Sequence, residues 1–373
     1  MSSSEIKQGL RKTEFPNCAK EALNKIGQLI CGRNTNIKQM DLALDLMAEF
    51  VFCEVDRRGN KRNSVFTAIQ ELQLLEVLFD YFNSVTGDAA RNSVFLTLFS
   101  GTTASQRLGI LSKLVSIAIG TGSAKVLISA STWMQQLGNT SPNCCKLAEA
   151  LVMDYFILIP NSIDQLKLLY QNSQQFTANF LTAVAELYYV DSKKEIVFPP
   201  KTLLETIVHW VSENYKLCVA AQIMQSPLPP GAIAMEATTP IAGLLKWCVL
   251  APIYNQNNEL YSQLHLSLLN SLLEIPVSNP PRAVSSQHLI VPVGSICRYS
   301  LELHKRKKGV DKQTLFENDA NLQLSLDRYA QAIQIALFGK CIYGNVNELV
   351  NQLSQLPQNK LLGIVIYIHK MNK

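Results

Sequence analysis

Few residues of this sequence have types and spacings that could do chemistry, and the densest group of them is basic. His304 is followed by Lys305, Arg306, Lys307 and Lys308, and this run is the strongest concentration of charge in the chain. Four adjacent cations could contact nucleic-acid phosphates or serve as a nuclear import signal. An ordinary solvated loop would carry the same residues. The sequence leaves these three interpretations open.

A second basic segment holds Arg57, Arg58, Lys61 and Arg62 and lies between two strongly predicted helices. It is a weaker candidate for phosphate contact. The net charge of +5 over 373 residues is modest, so the overall charge does not require a nucleic-acid partner. Aromatic residues do not interleave with the Lys305–Lys308 run, which disfavours a stacking groove for single strands.

Metal ligation would need cysteine, histidine or carboxylate side chains clustered at suitable spacing. Cys144 and Cys145 are adjacent, but no second pair follows at ligand distance, so two small apolar residues near a helix start explain them better. Glu205, His209 and Glu213 share one helical face at i, i+4 and i+8. That spacing is also typical of a solvated polar face, and we expect no metal site there.

Catalytic motifs are equally weak. His265 lies on an apolar helical face, where a packed and hydrogen-bonded histidine is far commoner than a catalytic base. Gly120-Thr121-Gly122 resembles a phosphate-binding loop, but Lys125 stands where the third glycine should be, and a helix precedes it. A glycine turn between helices is the better interpretation. We therefore predict no catalytic residue, no metal and no cofactor.

The composition bounds the class of protein. Hydrophobic residues make up 47% of the chain, whereas charged residues make up only 17%, below the usual ~25%. This low charged fraction suggests that other subunits cover part of the surface. The nine cysteines are scattered without paired spacing, and the N-terminus lacks the apolar core of a secretory signal. Both observations favour reduced thiols in the cytosol or nucleus. No apolar run approaches the ~18 to 20 residues of a membrane span.

The elements that would position any of these residues are helices almost throughout. Three stripes show the i, i+3, i+4, i+7 spacing of an amphipathic helix. They are Ile241, Leu244, Leu245, Cys248 and Val249; Leu203, Leu204, Ile207, Val208 and Val211; and Phe66, Ile69, Leu72, Leu75, Leu78 and Phe82. The tryptophans Trp133, Trp210 and Trp247 fall in or beside such stripes, and we expect them in the core.

Helix signals punctuate these stripes, as at Ser141-Pro142, and short connections separate about sixteen to eighteen predicted helices. Because one core rarely accommodates so many helices, we predict an all-α, irregular HEAT- or armadillo-like α-solenoid. A boundary near residue 195 would divide it into halves, 1–195 and 196–373. Residues 275–295 hold four prolines with little periodicity, which predicts an irregular excursion.

Several strings within these helices go beyond a generic helix, and they occur in one order along residues 15–362. The strings are Glu71-Leu-Gln-Leu-Leu-Glu76, Lys113-Leu-Val-Ser116, Asp154-Tyr155, Ile159-Pro160-Asn161-Ser162-Ile163, Pro240-Ile-Ala-Gly-Leu-Leu-Lys-Trp-Cys248, Tyr261-Ser-Gln-Leu-His-Leu-Ser267, Leu324-Ser-Leu-Asp-Arg-Tyr-Ala-Gln-Ala-Ile333 and Leu356-Pro357-Gln358-Asn359. With them, the chain resembles the family of Integrator complex subunit fifteen. The specificity of the resemblance comes from the number and order of the strings, since none is a catalytic motif.

The resemblance implies a nuclear, non-enzymatic helical-repeat scaffold. It implies membership of the Integrator complex, which acts in small nuclear RNA 3′ processing and in termination of RNA polymerase II transcription. The partners it implies are subunits ten, thirteen and fourteen, which this subunit would join to the core. Direct contact with nucleic acid stays open, and an RNA-binding helical-repeat protein that uses the two basic segments is the alternative. The implied location is the nucleus, with the cytoplasm as a second site.

Overall fold

Capping residues and prolines set the ends of the helices. The computed structural model describes residues 3–32, 36–62, 66–100, 105–158, 163–190, 196–218, 238–256, 258–274, 283–307 and 311–371. In these ranges Asn36 and Thr67 each form a capping box with a glutamine three residues later. Asp319 accepts a hydrogen bond from the backbone of Leu322 at another helix start. Such caps satisfy backbone donors that a helix leaves free at its beginning.

Nineteen α-helices lie in the described ranges, and they hold nearly all of the regular structure. They are α1 (Ser3–Leu10), α2 (Asn17–Ile30), α3 (Ile37–Leu46), α4 (Ala68–Ser84), α5 (Asp88–Phe99), α6 (Ser105–Thr121), α7 (Ala124–Leu137), α8 (Pro142–Val152), α9 (Ile163–Lys167), α10 (Leu169–Asn172), α11 (Gln174–Leu187), α12 (Lys201–Glu213), α13 (Ile241–Leu250), α14 (Glu259–Leu273), α15 (Ser286–Arg306), α16 (Lys312–Glu317), α17 (Ala320–Phe338), α18 (Val346–Leu353) and α19 (Lys360–Met371).

Other regular segments are short. Two π-helical segments, Met47–Val51 and Met153–Leu158, continue α3 and α8. Two-residue strands β1 (Val284–Ser285) and β2 (Ile342–Tyr343) pair in parallel. Most helix pairs with extensive contacts are separated by one to three other helices along the chain, as in helical-repeat arrays. The predicted all-α, HEAT-like class is confirmed. Within the described ranges, no helix has both the length and the apolar character that crossing a membrane requires.

The chain forms two compact units. The first contains the described residues of 1–138 and 153–176, and its core includes the tilted rings of Phe82, Phe95 and Phe99, whose successive centroids lie 5.0 and 4.9 Å apart. The second contains those of 139–152, 177–218 and 238–371. The division into halves 1–195 and 196–373 stays a prediction, and residues 191–195 at its boundary lie outside the described ranges.

The core of the second unit surrounds Trp247. Its indole packs edge-on against Tyr188, with centroids 5.6 Å apart, and its Nε1 donates to the carbonyl of Ala185 at 3.2 Å. The hydroxyl of Tyr189 donates to that of Tyr261 at 2.7 Å. Trp133, in the first unit, and Trp210 are also fully buried, so the expectation of core tryptophans is confirmed. The stripes predicted on α12 and α13 are buried throughout.

Two sequence-based expectations need correction. In the stripe predicted on α4, Leu75, Leu78 and Phe82 are buried, but Ile69 and Leu72 are exposed. Steps of three residues fall about 60° short of a full turn, so the early members of this series rotate away from the core face.

The second correction concerns the excursion predicted at 275–295. Residues 275–282 lie outside the described ranges, but α15 begins at Ser286 and contains Pro292. Leu289, Val293 and Ile296 are buried at i, i+4 and i+7 on α15. The packing of these side chains stabilises the helix on both sides of Pro292. The predicted excursion is therefore wrong for residues 286–295.

Candidate functional site

A short hairpin carries the basic segment predicted at Arg57, Arg58, Lys61 and Arg62. Residues 54–62 form this basic hairpin, in which Val55 and Lys61 pair as an antiparallel bridge. The carboxylate of Asp56 accepts backbone hydrogen bonds from Arg58 and Asn60, both at 2.8 Å. These bonds, with one from the Asn60 side chain, lower the pKa of Asp56. Gly59 has a φ of +82°, a conformation that favours glycine at this turn.

The base of the basic hairpin is tied to two helices. The guanidinium of Arg107 on α6 donates to both carboxylate oxygens of Glu54, with Nε at 2.6 Å from Oε1. Arg11 directly follows α1. Its guanidinium pairs with the carboxylate of Glu49 at 2.8 Å and also donates to the carbonyl of Arg57 at 3.3 Å. Long-range contacts therefore fix the position of the turn.

The four basic side chains of the hairpin, Arg57, Arg58, Lys61 and Arg62, are all exposed. None of them forms an ion pair with another residue in the described part of the chain. Their charge is therefore available to an anionic partner. A fixed backbone that carries several exposed cations can bind phosphate groups by charge, without reading a base sequence.

The other basic cluster lies at the end of α15, in the second unit. Lys305 and Arg306 occupy its last turn, and Lys307 follows it; all three are exposed, and Arg306 lies 3.7 Å from Glu302. Lys308 lies outside the described residues. Cations at a helix C-terminus stabilise the negative end of the helix dipole, which gives this cluster a structural role as well. The two basic clusters belong to different compact units.

An apolar groove of about 750 Å³ lies at the end of the second unit. We call it the C-terminal groove. Its lining comes from the last turn of α17, from β2 and α18, and from α19, and it includes Phe338, Lys340, Ile342, Val365, Ile368 and His369. Phe338 is 75% exposed although it ends a largely buried helix. Its ring therefore adds exposed apolar surface beside the other apolar residues of the groove.

The helix α19 carries more apolar surface than its own packing uses. Leu362 and Val365 are buried against the unit. Ile364, Tyr367, Ile368 and Met371, at i, i+3, i+4 and i+7, form a second stripe that is 46 to 67% exposed. Viewed down the helix axis, the exposed stripe lies beside Val365, and the side chains from Val365 round to Tyr367 cover an arc of about 160°. This arc is wider than the ~100° that one packed face requires.

Polar groups of the C-terminal groove are few. His369 lines it, and the Nε2 atom of that ring is buried with no hydrogen-bond partner among the described residues. A buried ring nitrogen without a partner is costly and indicates a missing donor or acceptor. Lys340 is exposed at the rim, and none of the described residues that line the groove is an aspartate or a glutamate.

Further apolar faces are exposed in the first unit. On α3, Ile37, Met40 and Leu44 form an exposed stripe opposite the buried Leu42, Ala43 and Leu46. On α4, Ile69 and Leu72 lie outside the buried face. These helices have one apolar face in the core and another in solvent. The sequence analysis predicted the stripe on α4 but not the one on α3, and periodicity alone does not tell a core face from an exposed one.

The histidine and the glycine segment considered as catalytic or phosphate-binding motifs have structural roles. His265 is buried, and its Nε2 lies 3.0 Å from Oε1 of Gln331, as predicted for a core histidine. Burial lowers the pKa of His265 to about 4. Gly122 has a φ of +67° in the turn that ends α6, and Lys125 donates to the carbonyl of Asn83 at 2.7 Å. The glycine turn is confirmed.

The candidate metal ligands do not converge. Cys144 is buried, and burial raises the pKa of its thiol to about 12, whereas a ligand must lose that proton. Glu205 lies on the exposed face of α12, 3.7 Å from Lys201, and Glu213 is exposed. Within the ranges that the structure describes, no three histidine, cysteine, aspartate or glutamate side chains are grouped to hold a metal ion.

Sequence reasoning missed one polar cleft in the second unit. Lys246 on α13 is buried beside a cleft of about 130 Å³ whose lining also includes Glu186 and His288. Burial lowers the pKa of Lys246, and the charge of Glu186 opposes that effect. In the sequence, Lys246 stands among the apolar residues of the string 240–248. A lysine on the core face of a helix is rare, and this position could have indicated the cleft.

Comparisons with known proteins agree on one family. The family model described as Integrator complex subunit 15 matches residues 4–358. The chain is 39% identical over 372 residues to Integrator complex subunit 15 of Drosophila melanogaster, covering 98% of this chain and 96% of the relative. It is 31% identical to that of Danio rerio and 30% identical to that of Homo sapiens, covering 97% of this chain and 80% and 86% of the relatives.

Proposed function

Since this chain belongs to the family of Integrator complex subunit 15, we propose that it is a non-catalytic scaffold subunit of the nuclear Integrator complex. One observation carries the scaffold role: helices with a complete core face bear a second apolar face in solvent. Partner subunits that cover these faces would explain both the exposed apolar side chains and the charged fraction of 17%.

The proposal extends to the neighbours of the chain. It joins the module of subunits ten, thirteen and fourteen to the rest of the complex, and through it supports small nuclear RNA 3′ processing and termination of RNA polymerase II transcription. The family resemblance supports these assignments. A non-catalytic role fits the structural roles of His265 and Cys144.

Depletion tests the bridging role. In cells that lack this chain, tagged subunit fourteen is purified from nuclear extract, and the recovered subunits are quantified by mass spectrometry. We expect subunits ten and thirteen to be retained and the core subunits to be lost, together with increased transcription past small nuclear RNA 3′ ends. Full recovery of the core without this chain would contradict the bridge.

An apolar face on α3 offers a sharper test of the scaffold itself. Replacing Met40 and Leu44 by serine changes only exposed side chains, so the fold should persist. We expect the tagged variant to recover fewer Integrator subunits than the unaltered chain. The matched control is Lys38→Ser, which alters an exposed polar position on the same helix. Unaltered recovery by both would mean that this face is not an interface.

A second candidate function is RNA binding, and the exposed cations of the basic hairpin support it. Arg58→Ala with Lys61→Ala would then weaken binding of a single-stranded RNA and reduce the slope of log K against log salt by about 0.7 per lost phosphate contact. Lys12→Ala with Lys20→Ala, two exposed lysines elsewhere in the first unit, is the matched control. Absence of measurable binding at low salt would exclude this function.

A further inference from the structure

The C-terminal groove has the shape and chemistry of a site for one particular kind of partner. We propose that it binds an amphipathic α-helix of another protein, whose apolar stripe is flanked by aspartate or glutamate. This inference rests on the proposed scaffold function and specifies one of its interfaces. It names the groove, the secondary structure of the partner segment and the charge of that segment.

The apolar part of the argument is the continuity of two surfaces. Ile368 lines the C-terminal groove and also belongs to the exposed stripe of α19, so the groove opens directly onto that stripe. Phe338 contributes an exposed ring on the α17 side. A volume of about 750 Å³ would suit a small ligand, but such a ligand would leave Tyr367 and Met371 in water. A helix laid along the groove would cover them.

The backbone geometry favours a helix over an extended peptide. The strand β2 contributes Ile342 to the lining, but it is only two residues long and already pairs with β1. An added strand would therefore find little edge to extend, whereas helix-in-groove binding needs only packed side chains. The lining elements α17 and α19 are helices in close contact, between which the ridges of a third helix can pack.

The charge of the partner follows from the ionisable residues. Lys340 is at the rim, and α19 carries Lys360, His369 and Lys370 without a single carboxylate. Acidic side chains beside the apolar stripe would pair with these lysines, and a carboxylate or other polar group could reach the unpartnered Nε2 of His369. A second copy of this chain would instead bring the same lysines together, and like charges disfavour that arrangement.

Two synthetic helical peptides of about fourteen residues, or four turns, provide the probe. They share leucines at i, i+3, i+4 and i+7 and differ only in flanking residues, glutamate in one and lysine in the other. Fluorescence anisotropy measures their affinity for the full chain at low salt. We expect the acidic peptide to bind at least about tenfold more tightly, because its glutamates attract the lysines beside the groove whereas the lysines of the basic peptide are repelled by them.

Variants assign the binding to the groove. Ile368→Asp should abolish binding of the acidic peptide, and Lys340→Glu should remove its advantage over the basic one. Ile69→Asp, at an exposed apolar position of the first unit, is the matched control and should change neither affinity. Equal affinity of the two peptides, binding of neither, or binding that survives Ile368→Asp would overturn the proposal.

Two further measurements separate the alternatives. A concentration-dependent dimer in light scattering that Ile368→Asp abolishes would assign the groove to a second copy and overturn the proposal. If the acidic peptide fails while the chain still co-purifies with Integrator subunits, the groove assignment falls and the scaffold function stands. If the peptide binds as expected but the chain never co-purifies with Integrator, the scaffold function falls instead.

Discussion

The carboxylate of Glu54 is held by the guanidinium of Arg107, 53 residues further along the chain. The same guanidinium lies 4.7 Å from the ring centroid of Phe52 and donates to the carbonyl of Leu98 at 3.2 Å. Arg107 is nearly buried, with 9% of its surface exposed. One side chain of α6 therefore fixes the base of the basic hairpin on the first unit.

Arg107→Met should loosen the basic hairpin. The substitution keeps the apolar stem but leaves Glu54 without its partner, which we expect to lower the free energy of unfolding by about 2–4 kcal/mol. Hydrogen exchange at residues 54–62 should accelerate. The matched control is Lys7→Met, because Lys7 pairs with Asp45 at a more exposed site, where the loss should stay below about 1 kcal/mol. Equal effects of the two variants would show that the Glu54 pair is not an anchor.

Leu245→Asp should destabilise the second unit by more than about 3 kcal/mol. Leu245 is 2% exposed on α13, so the aspartate would lose the apolar contacts of leucine and bury an unpaired charge. Leu266→Asp on α14 is the matched control, since Leu266 is 60% exposed and should change stability by less than about 0.5 kcal/mol. Denaturant unfolding measures both. An unchanged midpoint for Leu245→Asp would show that this face is not core.

Gly243→Ala should destabilise the contact between α13 and α11. A Cβ at Gly243 would lie 2.5 Å from the Cβ of Ala185, so the helices would have to move apart, at a cost of about 1–3 kcal/mol. A Cβ added at Gly363 on α19 would have no atom of the described residues within 4 Å, apart from its chain neighbours and its own helix backbone. Gly363→Ala should therefore stabilise the chain by about 0.5–1 kcal/mol through helix propensity. A shift of the melting temperature in the same direction for both variants would contradict this account.

His265 should make the folded state sensitive to acid. Burial, with a smaller contribution from the charge of Arg328, lowers the pKa of His265 from 6.5 to about 4. Above pH 6.5 the ring is neutral in both states, so its full contribution is present. As the pH falls from 6.5 towards 4, only the unfolded chain binds the proton, and roughly 3 kcal/mol is lost.

His265→Gln isolates this effect. Glutamine can still hydrogen-bond to Gln331 but has no proton to gain, so the difference in unfolding free energy between the two proteins should change sharply across that pH window. Carboxylates titrate alike in both proteins and cancel in the difference. Parallel pH profiles would mean that the imidazole does not carry the acid sensitivity.

We expect the Lys305–Lys308 cluster to act as a nuclear import signal. Residues 304–309 fused to a fluorescent reporter should concentrate the reporter in the nucleus, because import receptors bind short basic clusters by charge. The matched control carries alanine in place of Arg306 and Lys307, both exposed at the end of α15. Equal distribution of the reporter with the unaltered segment and with the alanine control would show that the cluster is not an import signal.

The sequence alone determined the helical class, the helix start at Pro142 and the family, because caps, periodicity and ordered strings are local or linear properties. Only the tertiary structure decided which apolar residues are covered. On α19, Ile364, Tyr367, Ile368 and Met371 have the same spacing as members of the buried stripe of α13, yet they face solvent. Periodicity records angles around one helix axis, whereas burial depends on whether a second element lies against that face.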